Sequence, residues 1–156
     1  MRAILPFLLA VSLPLAAAPM HSQFLPPDDQ ALRQQAPTGQ QLLQVTDYAV
    51  VVGAQRQSDQ QPIPITSTLQ VRLKGKPLSK GATITQVLLT FDGEAAKSLK
   101  KPVYDEKTKT LGLNYPVSDY RVIMDLLRNE TVYVQFLTYG NGHIWADLHT
   151  GTVRTR

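Results

Sequence analysis

The sequence predicts an α+β domain: an antiparallel β-sheet of about six strands, with one covering α-helix and a C-terminal β-hairpin. Three observations predict it. Apolar and polar residues alternate along several short segments that Gly, Pro and Asp-Gly turns separate, which is typical of half-buried strands. One segment repeats its apolar residues at three- and four-residue spacings, as an amphipathic helix does. The last two strand segments are joined by a three-residue loop bounded by glycines.

The composition limits the function before any motif is considered. The chain has 156 residues, of which 43% are hydrophobic, and this is enough for one ordinary domain with a core. The absence of cysteine excludes disulfides, thiolate nucleophiles, cysteine-ligated zinc and a lipoprotein anchor on cysteine. The formal net charge of +4 is too mild to predict a nucleic-acid partner, so none is expected.

The beginning of the chain has the parts of a secretory signal peptide. Arg2 supplies a positive charge, an apolar run follows from Ala3 to Leu15, and three alanines end it. The run is shorter than the roughly 20 apolar residues that cross a bilayer, and Pro6 and Pro14 interrupt it. We therefore expect residues 1–18 to be a signal peptide, and the protein to be periplasmic or secreted with no membrane span.

The segment after this leader differs in composition from the rest of the chain. Residues 19–41 are rich in Pro and Gln, and Pro26-Pro27 is followed by two aspartates. Such a composition is typical of an extended tether. We expect a flexible N-terminal segment over 19–41 and a single α+β domain over 42–156.

Three strands are predicted in the first half of this domain. Leu43 to Val52 is β-branched and apolar on both faces toward its end, which predicts a central strand. Ile65 to Lys74 alternates cleanly, which predicts a strand with one wet face. Ile84 to Phe91 is the third strand, and Asp92-Gly93 ends it.

A second hairpin and the helix follow. Val103-Tyr104 and Leu111 to Tyr115 flank the charged run Asp105 to Lys109, which predicts a hairpin with an exposed tip. Ser118 or Asp119 can then cap a helix that covers one face of the sheet. The apolar positions of this helix include Tyr120, Ile123, Met124 and Leu127.

The register of the last hairpin can be counted from its loop. Thr131 to Tyr139 and His143 to Thr150 flank Gly140-Asn141-Gly142, and a three-residue loop whose last glycine has positive φ pairs Tyr139 with His143. One face then carries Val132, Val134 and Phe136 beside Ile144, Ala146 and Leu148, which is a coherent core face. A two-residue Asn-Gly turn would shift the pairing by one and bring polar side chains against that face.

The opposite face of this hairpin is the candidate binding surface. It carries Tyr133, Gln135, Tyr139, His143, Trp145, Asp147 and His149. Rigid rings among hydrogen-bonding groups are what recognition surfaces favour, because they bury a large area at a small entropic cost. The same composition also fits a half-covered second layer, with the helix or the N-terminal segment packed over the rings.

Metal binding and catalysis have weaker support. Asp147 and His149 lie about 6.7 Å apart on one strand face and could share an ion, but His143 is two steps further away, so no metal or cofactor is predicted. No Ser sits in a G-x-S-x-G turn. The carboxylates of Asp92, Glu94, Asp119 and Asp147 have no sequence reason to form a catalytic pair.

We therefore expect a small, non-catalytic binding protein whose partner is a protein of the cell envelope. It would be an inhibitor or immunity-type protein, or an accessory subunit of an envelope or secretion assembly. One alternative is a binder of envelope glycan or anionic lipid, with rings stacking on sugars or lysines meeting phosphates. Another alternative is a small hydrolase.

The leader can be tested by processing. When the full sequence is expressed in a bacterial host, mass spectrometry of the periplasmic product should show an N-terminus within a few residues of Pro19. Leu8→Arg should make the precursor accumulate in the cytoplasm, because it interrupts the apolar run. Gln23→Arg, which lies beyond the run, is the matched control and should be processed normally. A product that keeps Met1 would contradict the assignment.

Overall fold

The computed structural model describes residues 37–53, 69–93 and 100–151, and all of them belong to one compact unit. The predicted leader, residues 19–36 and the first four residues of the second predicted strand lie outside these ranges. The strands are β1 (Gly39–Val52), β2 (Leu69–Pro77), β3 (Gln86–Phe91), β4 (Val103–Asp105), β5 (Thr110–Tyr115), β6 (Val132–Thr138) and β7 (Ile144–Thr150). A 3-10 turn at Val117–Asp119 leads into the helix α1 (Tyr120–Asn129).

The seven strands form one sheet in the order β4-β5-β3-β2-β1-β6-β7. With one short helix against it, the described part of the chain has the predicted α+β class. The finer prediction of about six antiparallel strands is wrong on two counts. The sheet has seven strands, and β3 pairs with β5 in parallel while every other pair is antiparallel.

Burial explains why β5 and not β4 lies beside β3. The inward side chains of β5, Leu111 and Leu113, are both fully enclosed opposite Val87 and Leu89. The three-residue β4 supplies only Tyr104 to that side. Placing β5 inside and β4 at the sheet edge therefore removes more apolar surface from water than the reverse order would.

One face of the sheet carries the core. The side chains on this face alternate along each strand with polar side chains such as Arg72 and Lys74, as predicted for a strand with one wet face. The buried core cluster consists of Leu43, Val71, Leu73, Ile84, Val87, Leu89, Phe91, Leu111, Leu113, Ile123, Met124, Val134 and Phe136. Because Ile123 and Met124 belong to this cluster, α1 covers the core face of the sheet.

The sheet curls strongly around this core. The rings of Tyr104 in β4 and Phe136 in β6 lie 6.2 Å apart between centroids, although a flat sheet would separate strands five positions apart by about 24 Å. Tyr115 of β5 likewise reaches the main chain of Leu148 in β7, again five positions along the sheet. The core face is therefore concave, and we call the opposite face the outer face. Over β1 and β6 the outer face also contains buried side chains, which are Leu42, Gln135 and Leu137.

A set of polar contacts fastens one end of the concave face. The side-chain oxygen of Gln41 in β1 accepts hydrogen bonds from the main-chain N–H groups of Thr83 and Ile84, each at 3.0 Å. The Thr83 hydroxyl then hydrogen-bonds with the Tyr104 hydroxyl of β4. These bonds connect β1 to β4 through the segment that precedes β3, and β1 and β4 are not neighbours in the sheet, so the bonds support the curl.

A bulge in β1 lies where the strand loses its pairing with β6 and continues with β2 alone. The β1–β2 register shifts between Val45 and Asp47, opposite Gly75. A side chain at Gly75 would collide with the Gln44 main-chain oxygen at 2.1 Å, so the close approach requires glycine. Beyond the bulge, residues 46–52 are exposed. The prediction of a central strand is confirmed, because β1 lies between β2 and β6. Its apolar end is nevertheless exposed, because neither the core nor β6 extends that far.

The helix begins after a turn that differs from the predicted cap. Asp119 precedes α1 but makes no capping hydrogen bond to the main chain. Its carboxylate accepts a hydrogen bond from the Ser118 hydroxyl instead, at 3.2 Å. The Tyr120 ring packs edge-on against Phe91 at the end of β3, which fixes the start of the helix by an apolar contact. No helix in the described ranges is long and apolar enough to cross a membrane.

The Tyr115 phenol, which joins β5 to β7, makes the free energy of unfolding depend on pH in the alkaline range. Burial raises the pKa of the Tyr115 phenol well above its usual range, and the charges of Asp147 and Asp119 add to the effect. The folded state therefore keeps a proton that the unfolded chain releases near pH 10. The stabilising contribution is present below about pH 10 and is lost as pH rises toward the folded pKa, at up to roughly 1.4 kcal/mol per pH unit.

Chemical unfolding between pH 9 and 11 tests this contribution. The free energy of unfolding should fall less steeply with pH in Tyr115→Phe than in the unsubstituted protein, because the variant lacks the buried phenol. Tyr48→Phe removes an exposed phenol and is the control. Equal slopes for the two variants would show that Tyr115 is not enclosed between β5 and β7.

Candidate functional site

The C-terminal hairpin has the predicted register. The main-chain N–H of Tyr139 donates a hydrogen bond to the carbonyl of His143 at 3.0 Å. Gly142 has a φ of +81°, as the three-residue loop requires. The Asn141 side chain also accepts a hydrogen bond from the His143 N–H at 3.0 Å, which stabilises the loop. The prediction of this register from the loop is therefore confirmed.

The register separates the two faces as predicted. Val134 and Phe136 are buried in the core, and Ala146 and Leu148 of β7 pack beside them. Val132 is buried as well, whereas Ile144 at the loop end of β7 is exposed. The outer face of the hairpin continues onto β1 in three cross-strand rows. These rows are Gln40–Leu137–Trp145, Leu42–Gln135–Asp147 and Gln44–Tyr133–His149.

A hydrogen-bonded chain of three side chains lies along the outer face of β7, and we call it the Trp–Asp–His chain. The indole N–H of Trp145 donates to Oδ2 of Asp147 at 2.6 Å. Nδ1 of His149 lies 2.6 Å from Oδ1 of the same carboxylate. Because an ionised carboxylate only accepts hydrogen bonds, Nδ1 carries the proton in this arrangement. One carboxylate thus fixes the orientation of two rings that lie on either side of it.

Two ring pairs extend this arrangement across the hairpin. Tyr133 of β6 stacks on His149, with centroids 5.9 Å apart and an interplanar angle of 19°. Tyr139 and His143 form a tilted pair at 5.7 Å near the loop. The structure therefore brings Tyr133, His149 and the rest of the Trp–Asp–His chain together, while the Tyr139–His143 pair lies at the other end of the hairpin.

Exposure distinguishes the seven predicted binding residues. His143 is exposed, and Tyr133, Tyr139 and the three members of the Trp–Asp–His chain are partly exposed. Gln135 is only 2% exposed, and its side-chain oxygen is buried without a hydrogen-bond partner. Gln135 is therefore not accessible to a partner in this conformation.

Strand β1 contributes residues to the outer face of the hairpin that the sequence alone does not predict. Leu42 is buried beside Gln135, and Gln40 and Gln44 flank it in the neighbouring rows. The pairing of β1 with β6 joins segments about ninety residues apart. The only local signal was the alternation of Gln with apolar residues over 40–45, which shows a face but not the strand that it meets.

The chemistry of the hairpin face does not favour catalysis. In hydrolases an aspartate orients a histidine whose Nε2 faces the nucleophile. Here Nε2 of His149 is buried, so it is closed to a substrate that arrives from solvent. Within the described ranges, no group of three or more His, Asp or Glu side chains is placed to hold a metal ion.

A second concave feature lies on the outer face, over β2, β3, β5 and β4. It is an open groove of about 510 Å³, lined by Arg72, Gln86, Leu88, Val103, Asp105, Thr108, Thr110 and Gly112. Gly112 lies in the same cross-strand row as Leu88 and Val103, and its missing side chain leaves the depression between them. The groove is mainly apolar, with Arg72 and Asp105 as its two charged side chains, and no aromatic ring lines it.

Asp105 in this groove serves the hairpin turn. Its carboxylate accepts hydrogen bonds from the Thr108 hydroxyl at 2.9 Å and from the Lys107 main-chain N–H at 2.9 Å. These bonds hold the pKa of Asp105 below its usual value, the Thr108 hydroxyl being the larger cause. The carboxylate is therefore a structural acceptor for the turn, although both Asp105 and Arg72 are exposed in the groove.

Comparison with protein-family models, with curated proteins and with solved structures found no match.

The Trp–Asp–His chain can be tested without knowledge of a ligand. Asp147→Ala removes the acceptor of both rings and should lower the free energy of unfolding by roughly 1–3 kcal/mol. It should also change the intrinsic fluorescence, since Trp145 is the one tryptophan of the sequence. Asp125→Ala on the exposed face of α1 is the matched control and should change neither. If Asp147→Ala left both the fluorescence and the stability unchanged, the hydrogen-bonded chain would not exist in solution.

Proposed function

We propose that this protein is an exported, non-catalytic binding protein that captures a protein partner in the cell envelope through the outer face of the β6–β7 hairpin. The Trp–Asp–His chain is the observation that carries the proposal. The leader motif of residues 1–18 supports export, and the absence of cysteine fits a domain that does not depend on redox conditions.

Preorganisation of the rings favours binding through this face. A ring that binds a partner loses rotational freedom, and this loss weakens binding unless the ring is already fixed. Hydrogen bonds at 2.6 Å fix both Trp145 and His149 before any partner arrives, and Tyr133 stacks on the second ring. Trp and Tyr are also the side chains that most often contribute large shares of binding energy at protein interfaces.

The position of these rings also supports binding. They lie on the face opposite the core cluster, and they remain partly exposed although Leu42 and Leu137 are buried on the same face. The partner surface that fits them has an apolar recess for the indole and donors that approach the Asp147 carboxylate. Such a partner is compatible with an inhibitor or immunity-type role and with an accessory subunit of an envelope or secretion assembly.

The alternative of an envelope glycan or anionic surface has one observation in its favour. The groove over β2–β5 presents Arg72 beside an apolar floor, and lysines such as Lys74 and Lys107 are exposed around it. The groove has no aromatic ring on which a sugar could stack, so a glycan would bind the rings of the hairpin face, and the groove suits an anionic surface. Binding by these cations would weaken steeply with salt, whereas binding by the hairpin rings would hardly respond.

Partner capture by paired variants tests the proposal. A partner isolated with the purified protein from envelope extract should bind Trp145→Ala at least roughly 30-fold more weakly, as expected for a residue that contributes 2 kcal/mol or more. Val103→Ala, an exposed apolar residue in the groove, is the control and should bind normally. Circular dichroism shows whether each variant is folded.

Two results would contradict the proposal. If Val103→Ala abolished binding and Trp145→Ala did not, the groove would be the functional surface. If Trp145→Ala and Trp145→Phe both prevented folding, the indole would be a structural group and the hairpin face would have no assigned partner.

A further inference from the structure

The outer half of β1 has a partner strand on one side only. β6 pairs with β1 from Gly39 to Gln44, whereas β2 continues along β1 as far as Val52. Residues 46–52 therefore form an arm with β2, and no described strand covers the other edge of that arm. This edge is as long as the open edge of β7, which also has seven residues.

The ladder shows which main-chain groups face the open edge. Gly75 directs its N–H to Thr85, away from β1 and toward β3. Because the direction alternates along a strand, Leu73 and Val71 also face β3. Their partners across the ladder, Tyr48 and Val50, must then face away from β2, and so must Val52 opposite Leu69. Three residues thus present their N–H and C=O groups at the open edge.

The side chains on this arm are apolar and exposed. The exposed fractions are 40% for Tyr48, 37% for Val50, 54% for Val51 and 75% for Val52. No charge and no proline occurs from Tyr48 to Val52. Proteins usually protect an edge with charged side chains, proline or short length. The edge strand β4 follows that rule, with three residues and Asp105 among them.

We propose that a second copy of this chain pairs with the open edge of β1, antiparallel, about a two-fold axis at Val50. A two-fold axis at this residue makes the edge-facing residues meet each other. Val50 faces Val50 of the second copy, and Tyr48 faces its Val52. Each such pair exchanges two hydrogen bonds, and there are three pairs in this register. Axes at Ala49 or Val51 give only two such pairs.

The side chains fit the same register. When the two-fold axis passes through a residue, each side chain lies on the same face of the sheet as the side chain that it faces in the second copy. The second copy therefore continues both faces of the sheet. The facing pairs formed by Tyr48, Val50 and Val52 are all apolar, and Asp47 falls opposite Gly53 rather than another acid. The arm is therefore complementary to itself, which favours a second copy over an unrelated strand as the occupant.

The consequence is a dimer that presents two hairpin faces. This pairing uses the open edge of β1 and leaves the Trp–Asp–His chain on β7 uncovered. It does not depend on the proposed partner capture. Where both hold, one dimer could engage two sites on an envelope assembly, and the avidity would exceed the affinity of either face.

A charge-swap experiment tests the pairing and its register together. Sedimentation velocity of the purified protein over a concentration series should show a monomer–dimer equilibrium. Val50→Lys and Val50→Glu should each weaken dimerisation at least roughly tenfold, because each places like charges against each other at the axis. An equal mixture of the two variants should form heterodimers, since only a residue on the axis faces its own equivalent.

Controls separate this pairing from other causes. Val122→Lys introduces the same charge at an exposed site on α1 and should dimerise normally. Circular dichroism should show that every variant is folded, because Val50 is exposed and lies outside the core cluster. Partner capture by a single hairpin face should also persist in Val50→Lys, so failure of the dimer and failure of the proposed function are distinguishable.

Three results would overturn the inference. The first is a protein that remains monomeric up to its solubility limit. The second is a dimer that Val50→Lys does not weaken, which would place the interface elsewhere. The third is a mixture of the Lys and Glu variants that does not recombine, which would leave an unrelated extended segment as the occupant of the edge.

Discussion

The curl of a seven-stranded sheet around one apolar core is the constraint on which the rest of this structure depends. It brings Tyr104 of β4 against Phe136 of β6, although the two strands are five positions apart. The driving force is the burial of apolar surface on one face, since a seven-stranded sheet covered by a single ten-residue helix would leave much of that face in water. By folding onto itself, the sheet supplies the cover that the helix cannot.

The curl also determines what is left outside. The concave face encloses the core cluster, so recognition can use only the outer face, the strand edges and the loops. On the outer face, Asp147 orients two rings of β7. At the edge, the bulge opposite Gly75 directs the apolar end of β1 beyond the core and beyond β6. The two surfaces are therefore independent of each other. Hydrogen bonds between side chains orient the rings of the hairpin face, whereas the edge of β1 presents main-chain groups that no described strand pairs with.

Local features of the fold could be predicted from the sequence, and long-range ones could not. The register of the C-terminal hairpin follows from its loop and its alternation, so Trp145, Asp147 and His149 could be placed on one face. The sequence predicted that Gln135 is accessible, but the structure buries it beside Leu42 of β1. That contact could not be predicted, because β1 comes from a segment about ninety residues away. The parallel pairing of β3 with β5 and the contact of Tyr104 with Phe136 depend on which strands bury the most apolar surface in the one core. Local sequence patterns do not show this. The exposed end of β1 has the composition of a buried strand, and composition alone does not show where the core ends.

The most direct test of this account is the contact across the concave face. Nuclear Overhauser spectra of the labelled protein should show cross-peaks between the ring protons of Tyr104 and those of Phe136, because their centroids are 6.2 Å apart. Absence of these cross-peaks, with the β4–β5 and β6–β7 pairings intact, would mean that the sheet is open and that the core and outer faces have been assigned to the wrong shape.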